Sequence, residues 1–442
     1  MKDKPSNNIR LNSSWSEDLI KNIGCVTVGG TPSTSIEKYW NEEIPWMSSG
    51  DVHLKRIYDV PGRISELGLC SSNATLVEPP AVAIGLAGQG KTRGTVALVL
   101  LPLCTNQSVA LIQGKKDKLD IFYLFYNLEF RYQELRSRSV GGGRAGLSKS
   151  ILETLPIPIP IIKEQQAIAS VLSAVDRAIE QTEKLIAKQQ RIKTGLMQDL
   201  LTKGIDKHGN IRSEETHEFK DSKSILGRIP LEWTIQEIAS VLIQPPKNGY
   251  SPSESEIWNG IYILGLGCLT GEGFKPRQLK YAPVNNRRIE AALLKDGDFL
   301  ISRSNTRALV GFVGIFKDIG EKCIYPDLMM RLQFSNQVLN NYMEQVFMSR
   351  MMRRQIENIA TGTSGSMVKI NAKAVKKFIF GMPSLCEQKR ITSRLKFNYD
   401  YILKLKLSLE KLYLQKTGLM QDLLTGKVRV TDLLDQTSTT ST

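Results

Sequence analysis

The ten residues Lys193-Thr194-Gly195-Leu196-Met197-Gln198-Asp199-Leu200-Leu201-Thr202 return letter for letter as Lys416-Thr417-Gly418-Leu419-Met420-Gln421-Asp422-Leu423-Leu424-Thr425, 223 positions later in a chain of 442. Working outward at the same offset, Pro160 matches Pro383, Glu164-Gln165 matches Glu387-Gln388, and Ile168 and Leu172 match Ile391 and Leu395. Farther upstream the register drifts: Trp15 pairs with Trp233 and Trp40-Asn41 with Trp258-Asn259 at 218, while Ile84 and Gly94 pair with Ile301 and Gly311 at 217. A period this long is not that of a solenoid, whose units run to about 20 to 50 residues. It describes two related domains, each closing in a similar helix, and predicts pseudo-twofold symmetry.

The repeated segment reads as a coiled-coil helix. In a heptad frame, Ile168, Leu172, Val175, Ile179, Thr182, Ile186, Gln189, Lys193, Leu196 and Leu200 form one seam, and seven of the ten are apolar. The frame shifted by 223 gives Ile391, Leu395, Asn398, Ile402, Leu405, Leu409, Leu412, Lys416, Leu419 and Leu423, with eight of ten apolar. A stripe sustained over about four heptads suits helices that pack on each other, each about 60 Å long at roughly 1.5 Å per residue. The polar seam residues Thr182, Gln189, Lys193, Asn398 and Lys416 either set register or meet another subunit.

Ahead of the first helix, the β-branched runs Ala81 to Ile84, Thr95 to Leu101 and Ser108 to Ile112, with one helical stretch from 121 to 138, predict an α+β domain. Leu155-Pro156-Ile157-Pro158-Ile159-Pro160 must be extended, because each proline restricts its predecessor. The expected order is a globular copy (1–160), a helix (161–204), a polar linker (205–228), the second copy (229–383), its helix (384–425) and a tail (426–442) whose Ser/Thr-rich end from 436 is expected to be disordered.

Composition narrows the class of function. Lys plus Arg exceed Asp plus Glu by a net +15, spread over the body of the chain, which suits a long polyanion. No apolar run approaches a membrane span, and the first twenty residues are unlike a signal peptide, so a cytoplasmic protein without membrane contact is expected. The six cysteines include no Cys-x-x-Cys pair and the three histidines lie far apart, so no metal site is expected.

Gly85 to Thr92 fits the phosphate-loop pattern, yet the residues after Lys91 read as a strand rather than the helix that phosphate binding needs, and the second copy has Ser302 to Leu309 there without a Gly-Lys pair. Pro326-Asp327 and Glu387-Gln388-Lys389 imitate a nuclease cluster but stand 60 residues apart. No catalytic residues are expected. The loops instead carry side chains that bond base edges and phosphates: Gln89, Lys91, Arg93, Asn106, Gln107, Arg138, Arg144, Ser148 and Lys149, then Arg303, Asn305, Arg307, Ser364, Ser366 and Lys369. A single-chain nucleotide hydrolase or nuclease, and a coiled-coil scaffold without a DNA role, are the competing readings.

The chain resembles the specificity subunit of a type I restriction-modification enzyme over nearly its whole length. The resemblance rests on Gly29-Gly30-Thr31-Pro32-Ser33 and Ile44 to Asp51, on Ile301 to Thr306 with Leu309-Val310-Gly311, and above all on Glu164-Gln165 to Thr202 and Glu387-Gln388 to Thr425. It implies an α+β fold of two duplicated target recognition domains joined by two long antiparallel coiled-coil helices. Each domain would read half of a bipartite double-stranded DNA target. The partners it implies are two methyltransferase subunits and restriction subunits, with S-adenosylmethionine, ATP and Mg2+ on those partners and no cofactor on this chain. The second helix departs from the first in having Asn398 and Tyr399 for Val175 and Asp176, and Gly381-Met382-Pro383 as its lead-in.

Overall fold

A computed structural model describes residues 15–88, 90–138, 146–284, 286–360 and 367–430. They divide into two compact units, Met1–Lys184 with Leu407–Thr442, and Leu185–Lys406. The division falls inside both long helices, so each unit takes one end of each.

In the first unit, β1 (Ser16–Leu19) pairs antiparallel with β7 (Pro156–Ile159), and a five-stranded sheet runs in the order β2 (Gly24–Val28), β6 (Val109–Gly114), β4 (Ala81–Gly85), β5 (Val96–Val99), β3 (Arg56–Ile57). β4, β5 and the start of β6 are buried on both faces, which is why they read as unbroken apolar runs. Helices α1 (Ile121–Phe130) and α2 (Tyr132–Ser137) follow. Asp120 caps α1 by accepting from the Tyr123 amide at 2.8 Å. The single helix expected from 121 to 138 is broken at Arg131, whose ψ of 17° leaves the helical range while its guanidinium bonds the Pro156 carbonyl at 2.7 Å.

After the proline-rich strand comes α3 (Ile162–Thr202). In the second unit, β8 (Thr234–Glu237) pairs with β13 (Ile379–Met382) as β1 does with β7. The sheet β9 (Lys247–Asn248), β12 (Met329–Leu332), β10 (Phe299–Ser302), β11 (Val313–Ile315) repeats the order of the first, and α4 (Asn340–Met348) and α5 (Arg350–Ile359) repeat α1 and α2. The lead-in β13 gives way to α6 (Leu385–Leu424).

Both helices are tied to their own globular copy in the same way. The Gln165 side chain accepts from the Asp120 amide and donates to the Lys118 and Pro160 carbonyls, and Gln388 accepts from the Leu339 amide and donates to those of Gln337 and Pro383. Tyr123 and Tyr342, fully buried, each donate to a carbonyl of the strand that leads into the long helix, Pro158 and Gly381.

The helix ends fix direction within each unit. In the first, Ile168 and Leu172 of α3 share a core with Met420, Leu423 and Leu424 of α6, and in the second, Leu200 and Leu201 share one with Ile391 and Leu395. The pair is therefore antiparallel. A buried carboxylate marks each crossing. Glu387, at the start of α6, is held by Arg212, by the Ile205 amide at 2.8 Å and by the Trp233 indole at 3.2 Å. Glu164, at the start of α3, accepts from Nε and Nη2 of Arg429, at 2.5 and 2.7 Å. Each arginine comes from the segment just after the other helix, beyond a left-handed glycine, Gly204 or Gly426.

All the seam residues read from sequence are buried or half-buried: Ile168, Leu172, Ile179, Ile186, Ile391, Leu395 and Ile402 fully, Leu196, Leu409 and Leu419 in part. The polar ones find partners inside the chain. Asn398 donates to Gln189 at 3.3 Å, and Lys416 bonds Glu129 and Asp176, each at 2.8 Å. Lys193, the counterpart of Lys416, meets Tyr399 where its twin meets Asp176, stands 5.2 Å from that ring, and is pushed down by burial. The expected linker is packed as well: Ile205 and Leu226 are buried, and Phe219–Asp221 pairs with Arg228–Pro230. Its polar composition conceals this because Arg212 spends its charge on Glu387. The tail from 436 lies outside the described residues.

Candidate nucleic-acid interface

Three loops meet at one end of the first unit's sheet. The Leu86 amide donates to the Ser108 carbonyl at 2.8 Å and the Leu147 amide to the Leu86 carbonyl at 2.9 Å, which sets the β4–β5 loop beside the turn before β6 and beside residues 147–149. The second unit repeats both bonds. The Arg303 amide donates to the Leu328 carbonyl and the Ile370 amide to the Arg303 carbonyl, both at 2.9 Å, joining the β10–β11 loop, the turn before β12 and residues 367–371. Side chains scattered over 60 residues of sequence in each copy thus gather into one cluster per unit.

In the first cluster, Lys91 and Gln107 are exposed and Arg93 and Asn106 half-buried; Ser148 and Lys149 lie exposed on the third segment. In the second, Arg307 and Lys369 are exposed and Arg303 and Asn305 half-buried, with Asn305 opposite Val368 in a short antiparallel pairing. Gln89, Arg144, Ser364 and Ser366 lie outside the described residues. Arg138 is engaged with Glu134 at 2.7 Å.

Several of these residues also serve the backbone. Asn106 accepts from the Ser108 amide, Ser148 caps a short helix through the Ile151 amide, and Asn305 accepts from the Thr306 amide. Short polar side chains at turns commonly satisfy the neighbouring backbone in this way. Arg307 bonds the Glu357 carbonyl at 3.2 Å with one arm, and Lys149 pairs loosely with Glu153 at 3.8 Å. The outward lysines and arginines leave both clusters positively charged.

No helix begins at Lys91. Residues 86–88 and 90–95 are loop and turn, which leaves no row of helical amides after Lys91 to hold a phosphate chain. Among the described residues, no group of three His, Cys, Asp or Glu side chains is placed to hold a metal ion.

Sequence reasoning missed what holds the loops in shape. Arg136 on α2 donates to the Gly90 carbonyl at 2.6 Å and the Arg93 carbonyl at 3.4 Å. Arg353 on α5, 217 positions on, donates to the carbonyls of Arg307 at 3.4 Å, Ala308 at 3.2 Å and Val310, and lies over the Phe312 ring. Arg307 and Val310 are the counterparts of Gly90 and Arg93 at that same offset. The repeat of Arg136 at Arg353 was the available signal, obscured because a lone arginine on a helix normally reads as solvated surface.

The type I restriction modification DNA specificity domain model matches the chain twice, over residues 12–189 and 230–410. The type I restriction enzyme MjaVIII specificity subunit of Methanocaldococcus jannaschii is 27% identical over 355 residues, 79% of either chain. The EcoKI specificity subunit of Escherichia coli is 23% identical over 270 residues, 61% of this chain and 56% of that one. Among solved structures, a chain from a study of complex assembly and conformational transition in the type I R-M system aligns with a TM-score of 0.58 at 16% identity, covering 95% of this chain and 99% of that one. The type I restriction-modification S subunit from M. genitalium aligns at 0.55 and 15%, covering 95% and 97%. These likenesses show the same α+β fold with its long helices. With its specificity domain present twice and most of its length matched, the chain belongs to the type I restriction-modification specificity subunits.

Proposed function

We propose that each loop cluster reads one half of a bipartite duplex DNA target, with Lys91, Arg93, Gln107, Ser148 and Lys149 acting in the first unit and Arg303, Asn305, Arg307 and Lys369 in the second. Gln89, Arg144 and Ser366 belong to the same loops by sequence and complete the proposed set. The observation that carries this reading is the repetition of the three-loop cluster, backbone bond for backbone bond, with lysine and arginine side chains on the loops of each, though not at the same positions. Lysines and exposed serines grip phosphate, whereas arginine and the amides can also bond base edges.

In this reading the chain performs no chemistry. The antiparallel helices set the spacing of the half-sites and dock two methyltransferase subunits, and restriction subunits join for cleavage. Methyl transfer from S-adenosylmethionine, and cleavage that uses ATP and Mg2+, belong to those partners, in the cytoplasm.

The test is selection from a random duplex library by the full chain with its co-expressed partner subunits, across a salt series. Two short fixed blocks separated by a constant gap are expected, with the logarithm of the affinity falling linearly in log salt. Arg307→Ala should relax selection in one block only, by about 1–3 kcal/mol. Binding without sequence preference would overturn the reading, and equal weakening on every sequence would make Arg307 a phosphate contact.

A further inference from the structure

At the tip of each loop cluster one exposed side chain is buttressed by a hydroxyl from a distant loop, at the same place in both copies. In the first unit the Gly30 amide donates to the Thr105 carbonyl at 2.8 Å, and the Thr31 hydroxyl donates to Oε1 of Gln107 at 2.5 Å. In the second, 220 positions on, the Tyr250 amide donates to the Tyr325 carbonyl at 3.0 Å, and the Ser251 hydroxyl donates to Oδ1 of Asp327 at 2.5 Å. The glycine before each loop makes this approach possible, since a Cβ at Gly29 or Gly249 would stand 1.9 or 2.0 Å from the carbonyl oxygen it faces. Around the tips the chain is buried: Cys104, Thr105 and Val109 in one unit, Tyr325, Pro326 and Met329 in the other. Gln107 and Asp327 themselves are exposed.

The matched scaffold carries unlike chemistry. Gln107, its oxygen steadied by Thr31, offers both a donor and a remaining acceptor lone pair, the pair an adenine edge takes through N6 and N7. Asp327 offers acceptors only and a negative charge, so it repels phosphate and can bond only a base edge that presents an amino group. A carboxylate fits poorly in a cluster whose other outward groups bind a polyanion unless it reads bases.

We propose that positions 107 and 327 are matched specificity-determining tips: Gln107 selects adenine in one half-site, and Asp327 selects a base presenting an exocyclic amine, cytosine foremost, in the other. This rests on the reading of the loop clusters as the DNA-contacting surface.

The experiment is the same library selection with the full complex, comparing wild type with Asp327→Asn, Ser251→Ala and Gln107→Glu. Asp327→Asn should change base preference at least about fivefold at one position of one block and leave every other position alone. Ser251→Ala, which keeps the carboxylate and frees its orientation, should broaden selection at that same position, and it serves as the second variant if Asp327→Asn does not fold. Gln107→Glu should move one position of the other block from adenine towards cytosine. An unchanged motif, or an equal loss of binding on all sequences, overturns the assignment while leaving the two-block reading intact. Absence of any motif with the wild-type complex overturns the proposed function, and this assignment with it.

Discussion

Replacing Arg212 with methionine tests whether the buried carboxylate at the start of α6 depends on the segment that follows α3. Glu387 is 3% exposed and the Arg212 side chain 5%, so water does not take over when the guanidinium goes. Removing one partner of a buried ion pair costs about 3–5 kcal/mol. Here the Ile205 amide and the Trp233 indole still donate to the carboxylate, which places the loss near the lower end, about 3 kcal/mol. The second partner of Arg212, Glu232, is 70% exposed and adds little. Adding Glu387→Gln should return part of the loss, because an amide needs no counter-charge and its oxygen can still accept from Ile205. Urea denaturation measures the total, and hydrogen exchange over 385–395 localises it. The matching change Arg429→Met should cost less, since that side chain is 33% exposed. A double variant no more stable than Arg212→Met alone, or a single loss below about 1 kcal/mol, would show that the guanidinium does not neutralise Glu387.

Arg353→Ala should speed hydrogen exchange in residues 303–312 and weaken binding to one half-site by roughly 1–3 kcal/mol, with Arg353→Lys restoring little because a lysine cannot fork across several carbonyls. Equal weakening of both half-sites would show that Arg353 does not act through its own loop. One heptad inserted into both helices, after Lys184 and after Lys406, should lengthen the preferred gap by about 10 Å, or roughly three base pairs. An unchanged gap in the selected motif would mean that the helices do not measure it.

Periodic features were legible in the sequence and reciprocal ones were not. The heptad stripe located both long helices, alternation of apolar runs with turn residues located the strands around Lys91, and the shifting offset placed the loops of one copy opposite those of the other. Such signals are local, because each residue's neighbours along the chain are also its neighbours in the element. Arg212 and Glu387 stand 175 residues apart, and Arg429 and Glu164 stand 265 apart, so nothing near either arginine announces a partner. Arg212 instead made its surroundings look like solvated linker. Arg136 and Arg353 were passed over for a related reason: they bond carbonyls, and a carbonyl belongs to every residue and leaves no mark in sequence. The individual assignments of Asn106, Ser148 and Asn305 were blurred by competition, since a side chain suited to bases or phosphates is equally suited to capping a turn.

That reciprocity also accounts physically for the identical decapeptides. Each copy supplies a helix whose beginning is anchored to its own globular part, through Gln165 or Gln388, and whose end is received at the beginning of the other helix. The end of α3 must therefore fit around Glu387 and Ile391, and the end of α6 around Glu164 and Ile168, two nearly identical receptors. A single sequence, Lys-Thr-Gly-Leu-Met-Gln-Asp-Leu-Leu-Thr, satisfies both, placing Leu200 and Leu423 at equivalent buried seats. Where the receptors differ, the environment of the shared residue differs. Lys416 meets Asp176 and Glu129, whereas Lys193 meets Tyr399, and burial there pushes the lysine down. Among the described residues the loop tips answer to no such counterpart in the other copy, so Gln107 and Asp327 can differ on one scaffold while the helix ends cannot.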